Sequence, residues 1–164
     1  PFLYPNQYVN FSPDSEASKL ALSMVSENTS DIDALKQIYN YVVNNLSYDY
    51  DKAETVETGY LPDVDETLST KTGICFDYAA LTTAMLRSCD IPCKLQIGYT
   101  GDIKHAWIDV YIRSKGWVTN AVSFNGDSWS LMDPTFDSSA DSDDSEAIQD
   151  YIGNADNYTV QFTR

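Results

Sequence analysis

The amino-acid sequence predicts an α+β architecture in which N-terminal helices and a central helix pack on an antiparallel β-sheet. Apolar residues recur at helical spacing as far as about Arg87, and beyond it the pattern changes to short aromatic and β-branched runs broken by glycines. Helices followed by hairpin-linked strands give a segregated rather than an alternating layer order. No internal repeat and no Gly/Pro/Ser-rich linker divides the 164 residues, and 43% apolar content supports one compact core at that length. A single domain over 1–164 is therefore expected. Its parts are a helical stretch at 1–46, a long connection at 47–71, a helix over 72–88, and a sheet over 93–164 that carries an acidic loop at 137–146.

The first helix is expected between Ser12 and Glu27, with Pro13 suited to a first helical position and Ala17, Leu20, Ala21, Met24 and Val25 on one face. Ser30 reads as the N-cap of the second, with Asp31 and Asp33 in its first turn. Ile32, Leu35, Ile38, Tyr39, Val42, Val43 and Leu46 form its apolar stripe. The pattern decays from Ser47 to Lys71 around Gly59 and Pro62, which predicts a surface connection. Ala79, Ala80, Leu81, Ala84, Met85 and Leu86 then restore helical spacing until Asp90 and Pro92 end it. Strands are expected at 94–99, 105–112, 117–124 and 129–132.

Charge narrows the partners. Twenty-five acidic side chains against 10 basic ones leave a formal charge of -15, a field that repels phosphate backbones and anionic lipid, so nucleic acid is not an expected partner. No apolar run approaches the roughly 18 to 20 residues needed to span a bilayer. The acidic run DSSADSDDSE at 137–146 lacks the central glycine and spacing of an EF-hand loop and reads as solvated loop. No metal or cofactor is expected.

The string TGICFDYAAL, from Thr72 to Leu81, brings Cys75 out of a glycine-containing turn into the start of the central helix. A helix N-terminus offers unpaired N–H groups and a positive dipole end, which favour a thiolate and can hydrogen-bond the oxyanion formed when that thiolate attacks a carbonyl. His105, in KHAW, is the only histidine and would serve as the base; Asp133, in LMDPT, would orient its ring. Taken singly, Cys75 reads as a small buried residue, His105 as a satisfied strand residue and Asp133 as a turn former. Together they spell a thiol nucleophile, a base and an acid, the parts of a cysteine-dependent acyl-transfer enzyme. The twelve tyrosines read mostly as core-edge packing residues, and Tyr60, Tyr78 and Tyr99, with Trp107, are the candidates to line a peptide groove.

Five stretches carry a resemblance to a known family: IYNYVVNNLSYD (Ile38–Asp49), KTGICFDYA (Lys71–Ala79), LRSCDIPCK (Leu86–Lys94), HAWIDVY (His105–Tyr111) and WSLMDPT (Trp129–Thr135). In that order they resemble the transglutaminase-like superfamily, the papain-related group that includes transglutaminases, peptide N-glycanases and many bacterial candidate proteases. The resemblance implies a papain-like core with Cys75 as nucleophile, His105 as base and Asp133 as its orienter. It also implies an oxyanion-hole side chain upstream of the nucleophile, for which Tyr60 is the candidate. Peptide or amide hydrolysis on a peptide or protein substrate is the expected reaction, because the short chain has neither the accessory domains nor a calcium site of the animal cross-linking enzymes. Glutamine transamidation or deamidation is the alternative, and a silent binding module is disfavoured because all three residues are kept.

Cys89 and Cys93 remain after Cys75 is set aside. Four residues apart across a turn, they read either as a disulfide or as two small buried residues. The three-cysteine arithmetic, the acidic composition and an N-terminus without methionine lead to the expectation of an extracellular or cell-surface protein after signal removal, with a cytoplasmic one as the alternative.

Overall fold

The computed structural model describes residues 1–100, 103–125, 128–131 and 158–164. Asp133 and the acidic loop at 137–146 lie outside the described residues. Among the described residues, five helices and seven strands follow in chain order: α1 (Glu16–Met24), α2 (Asp31–Asn45), β1 (Ser47–Tyr48), α3 (Tyr50–Thr55), α4 (Val64–Thr70), β2 (Thr72–Gly73), α5 (Cys75–Ser88), β3 (Cys93–Thr100), β4 (Ile103–Ile112), β5 (Gly116–Asn125), β6 (Ser128–Leu131) and β7 (Tyr158–Thr163). The architecture is the expected α+β one, with a five-stranded antiparallel sheet ordered β6-β5-β4-β3-β7.

Local chemistry explains the helix boundaries. α1 begins at Glu16 rather than near Pro13, because Ser12 N–H donates to Ser15 Oγ at 2.9 Å and Asp14 N–H to Ser12 Oγ at 3.2 Å, a serine turn that competes with the helix. α2 starts where its cap predicts, with Asp33 N–H on Ser30 Oγ at 3.1 Å. The connection at 47–71 is more ordered than its composition suggests. Asp49 accepts from Lys52 N–H and starts α3, and Asp63 accepts from Asp65 and Glu66 N–H and starts α4. Lys71, at φ 54°, ends α4 in the left-handed region, and a short parallel pairing of Ser47 with Thr72 and Tyr48 with Gly73 then ties both ends of the connection together.

α5 is the axis of the core. An amphipathic helix would show one wet face, yet every residue from Asp77 to Arg87 is buried, since α1, α2 and α4 pack on it together with β3 and β4. Its two buried threonines are satisfied: Thr82 Oγ1 donates to Tyr78 O at 2.8 Å, and Thr83 Oγ1 lies 3.5 Å from Cys93 Sγ. Arg87 closes the far end, 2% exposed, donating to the carbonyls of Cys93, Tyr4 and Arg164 at 2.7 to 3.0 Å. Burial lowers its pKa from the usual arginine value, and the three carbonyls compensate by joining the N-terminal segment, β3 and the end of β7.

The sheet edge beyond β3 could not be ordered from the sequence. β7 returns to pair with β3 (Ile97 with Phe162, Gly98 with Val160), and the shift of register there leaves Gln161 as an extra residue that locally re-aims the strand. This places Gln161 and Phe162 beside the amino end of α5.

Candidate active site

Cys75 is the first residue of α5 and His105 lies in β4, opposite Gly98 of β3. Both line one cavity of about 710 Å³, walled by Tyr8, Tyr48, Tyr60, Phe76, Ile97 and Phe162. Cys75 is half-buried and His105 is 5% exposed, so the thiol meets the cavity while the imidazole is shielded from bulk water. The first intrahelical bond is donated by Tyr78 N–H to Ile74 O at 3.1 Å, so the amides of residues 75–77 stand at the helix end that forms the cavity floor. Such an end stabilises negative charge on a sulfur and on a developing oxyanion.

What fixes this end is a carboxylate. Asp77, fully buried, accepts from Ile74 N–H through Oδ2 at 2.9 Å, from Tyr60 Oη through Oδ1, and pairs with Lys52 Nζ at 2.9 Å. Lys52 also donates to Tyr60 Oη and sits 4.4 Å above its ring. Gly73 is obligatory beside it, because a Cβ there would fall 2.6 Å from Asp77 Cβ. Burial, and then the hydrogen bond to Asp77, push the Tyr60 hydroxyl up to about 12, which keeps it a protonated donor. Burial works against the Lys52 ammonium, but the bonds to Tyr60 and Asp77 more than offset it and hold its pKa above the ordinary lysine value.

The structure sorts the remaining candidates. Tyr60 does line the cavity, but its hydroxyl is engaged by Asp77 and Lys52 rather than presented as an oxyanion donor. Tyr78 and Trp107 are 3% and 1% exposed and are not among the cavity's described lining residues, since α5 is packed on every side and Trp107 is sealed within the sheet. They are packing residues here, not groove residues. Cys89 and Cys93 stand as separate thiols: Cys93 is buried against Thr83, and Cys89 caps α5 beside a different cleft of about 650 Å³. Sequence reasoning missed Lys52, Asp77, Gln161 and Phe162. Only Asp77 carried a local signal, an acidic residue at the third position of a helix.

The family model of the transglutaminase-like superfamily matches residues 18–134. The chain belongs to the transglutaminase-like superfamily. A UPF0252 protein of Methanocaldococcus jannaschii is 40% identical over 62 residues, covering 35% of this chain and 18% of that protein. The uncharacterized protein YebA of Bacillus subtilis is 26% identical over 141 residues, 72% of this chain and 19% of its own length. The chain thus spans less than a fifth of these curated relatives. A crystal structure of a candidate cysteine protease from Cytophaga hutchinsonii superposes with a TM-score of 0.58 at 24% identity, covering 77% of this chain and 40% of that one, and shares the transglutaminase-like fold.

Burial decides the order in which the thiols of this superfamily core react. It pushes Cys93 up to about 12 and, with Asp90 adding repulsion, Cys89 up to about 11, whereas Cys75 opens on a cavity at a helix start. Iodoacetamide at mildly acidic pH is therefore expected to alkylate Cys75 first. Peptide mass spectrometry reads the order, and earlier labelling of Cys89 or Cys93 contradicts it.

Proposed function

We propose that this domain is a cysteine-dependent acyl-transfer enzyme that hydrolyses peptide or amide bonds. The observation supporting the proposal is the shared cavity, which a thiol at a helix N-terminus and the sole histidine line from different elements. In the first half-reaction the Cys75 sulfur bonds to the acyl carbon, the carbon–nitrogen bond breaks, and the imidazolium of His105 gives its proton to the departing amine. In the second, His105 takes a proton from water, the hydroxide adds to the thioester, and the carboxylic acid leaves as the thiol is restored. Helix-end amides of α5 would hold the oxyanion in both steps. Asp133 is assigned the orientation of His105 on its sequence block alone.

The apolar and aromatic wall supports a peptide or protein substrate, because rings such as Tyr8, Phe76 and Phe162 bind side chains by area with little entropy lost. The test is a panel of peptide and glutamine-containing substrates supplied with a fluorescent primary amine at millimolar concentration. Release of acid in preference to amine conjugate, lost in Cys75→Ala, is the expected result. Dominant amine incorporation would make the protein a transamidase instead, and absence of any acyl transfer over a broad panel, with Cys75 no more reactive than an ordinary thiol, would support a binding module.

A further inference from the structure

Asp77 is an unexpected neighbour for a nucleophilic thiolate. Residues at the first and third positions of a helix have Cα atoms about 5.5 Å apart, and a carboxylate at that range disfavours a second negative charge. Yet Asp77 is fully buried, and Lys52 lies 2.9 Å from it. We propose that Lys52, Tyr60 and Asp77 form a positioning cluster behind the nucleophile: Lys52 cancels the Asp77 charge, so that the α5 end keeps its positive potential for Cys75, while Tyr60 pins residues 56–60 as one wall of the cavity. The inference rests on the reading of Cys75 as nucleophile.

Three geometric facts favour this over a merely structural ion pair. The carboxylate is spent on the backbone at the nucleophile itself, since Oδ2 receives Ile74 N–H at 2.9 Å, one residue before Cys75. Lys52 and Tyr60 come from α3 and the segment after it, so the cluster joins the cavity wall to the helix start across the chain. Val56, Glu57, Thr58, Gly59 and Tyr60 all line the cavity, so whatever holds Tyr60 shapes the substrate's surroundings. The cluster contributes one positive, one negative and one neutral group at working pH. Among the described residues, the other titratable groups that line the cavity with Cys75 are His105 from β4, Tyr48 from β1, Glu57 from the connection and Tyr8 from the N-terminal segment, the last with the Arg164 guanidinium 4.8 Å from its ring. None of these is altered in the variants below.

The experiment is the pH dependence of Cys75 alkylation by iodoacetamide, read at the Cys75 peptide, in wild type, Lys52→Met, Asp77→Asn, the double variant and Tyr60→Phe. Lys52→Met leaves the carboxylate uncompensated and should move the midpoint up by about one pH unit, a tenfold loss of thiolate on the acid side. Asp77→Asn should move it down, and the double variant should return close to wild type. Tyr60→Phe keeps the Lys52–Asp77 pair, so its midpoint should stay, while its loosened wall should raise KM more than it lowers kcat. A midpoint unmoved in both Lys52→Met and Asp77→Asn overturns the inference. Should Lys52→Met fail to fold, as judged by circular dichroism, Asp77→Asn against wild type carries the same test. The underlying reading fails separately and visibly, through a wild-type midpoint at the ordinary thiol value or turnover that survives Cys75→Ala.

Discussion

Cys75→Ala and His105→Ala are each expected to cut turnover by about 10⁴-fold or more while leaving the domain folded. Alanine at Cys75 removes the atom that forms the thioester. Cys75 is half-buried at the edge of the core and alanine keeps its Cβ, so the loss falls mainly on chemistry. Alanine at His105 removes the only imidazole of the chain, and among the described lining residues Tyr60 does not replace it, being held near 12 as a donor to Asp77. Because the two act as one unit, the double variant should be little worse than either single one. Asp133→Asn should leave weak residual activity, as expected of a group that fixes a tautomer. Turnover measured beside thermal melts checks all four, and wild-type rates in His105→Ala would remove the proposed mechanism.

Gly73→Ala should be the most damaging change that touches no reacting atom. The added methyl would lie 2.6 Å from Asp77 Cβ and 3.1 Å from its Cγ. Asp77 cannot step aside, because its oxygens are held by Ile74 N–H, Tyr60 and Lys52 in a site closed to water. Either the turn at β2 moves or the carboxylate loses its partners, at a cost of about 3 kcal/mol from overpacking and unpaired buried groups. The helix start would shift with it, so a lower melting temperature should be accompanied by a fall in kcat larger than the loss of folded protein explains. A variant that melts with wild type and turns over normally would show that Asp77 has freedom the geometry denies it.

α1, α2, α5 and the strands β3 to β6 were legible because their signals are local, whereas α3 and α4 lie in a stretch read as a surface connection. Ser30 caps α2 as its hydroxyl predicts, and the switch from helical to alternating spacing after Arg87 marks the start of the sheet. The misplaced start of α1 was also a local contest, decided by the Ser12–Ser15 turn. Cys75 and His105 were named from residue type and neighbourhood, and the fold brings them to one cavity. Asp133 remains a matter of sequence alone.

Residue order alone could set the period of the long helices and of the central strands, the cap at Ser30, and which side chains carry usable chemistry, since each of these depends on a few neighbours along the chain. It could not set the return of β7 to the β3 edge, which depends on pairing between residues 58 to 67 positions apart and delivers Gln161 and Phe162 to the site. Nor could it show that Asp77 faces Lys52 and Tyr60, or that packing from both layers buries Tyr78 and Trp107, two aromatics that composition alone would place in the groove. Those outcomes follow from packing around α5, where burial charges every polar group for the loss of water and only a partner from a distant segment can offset it.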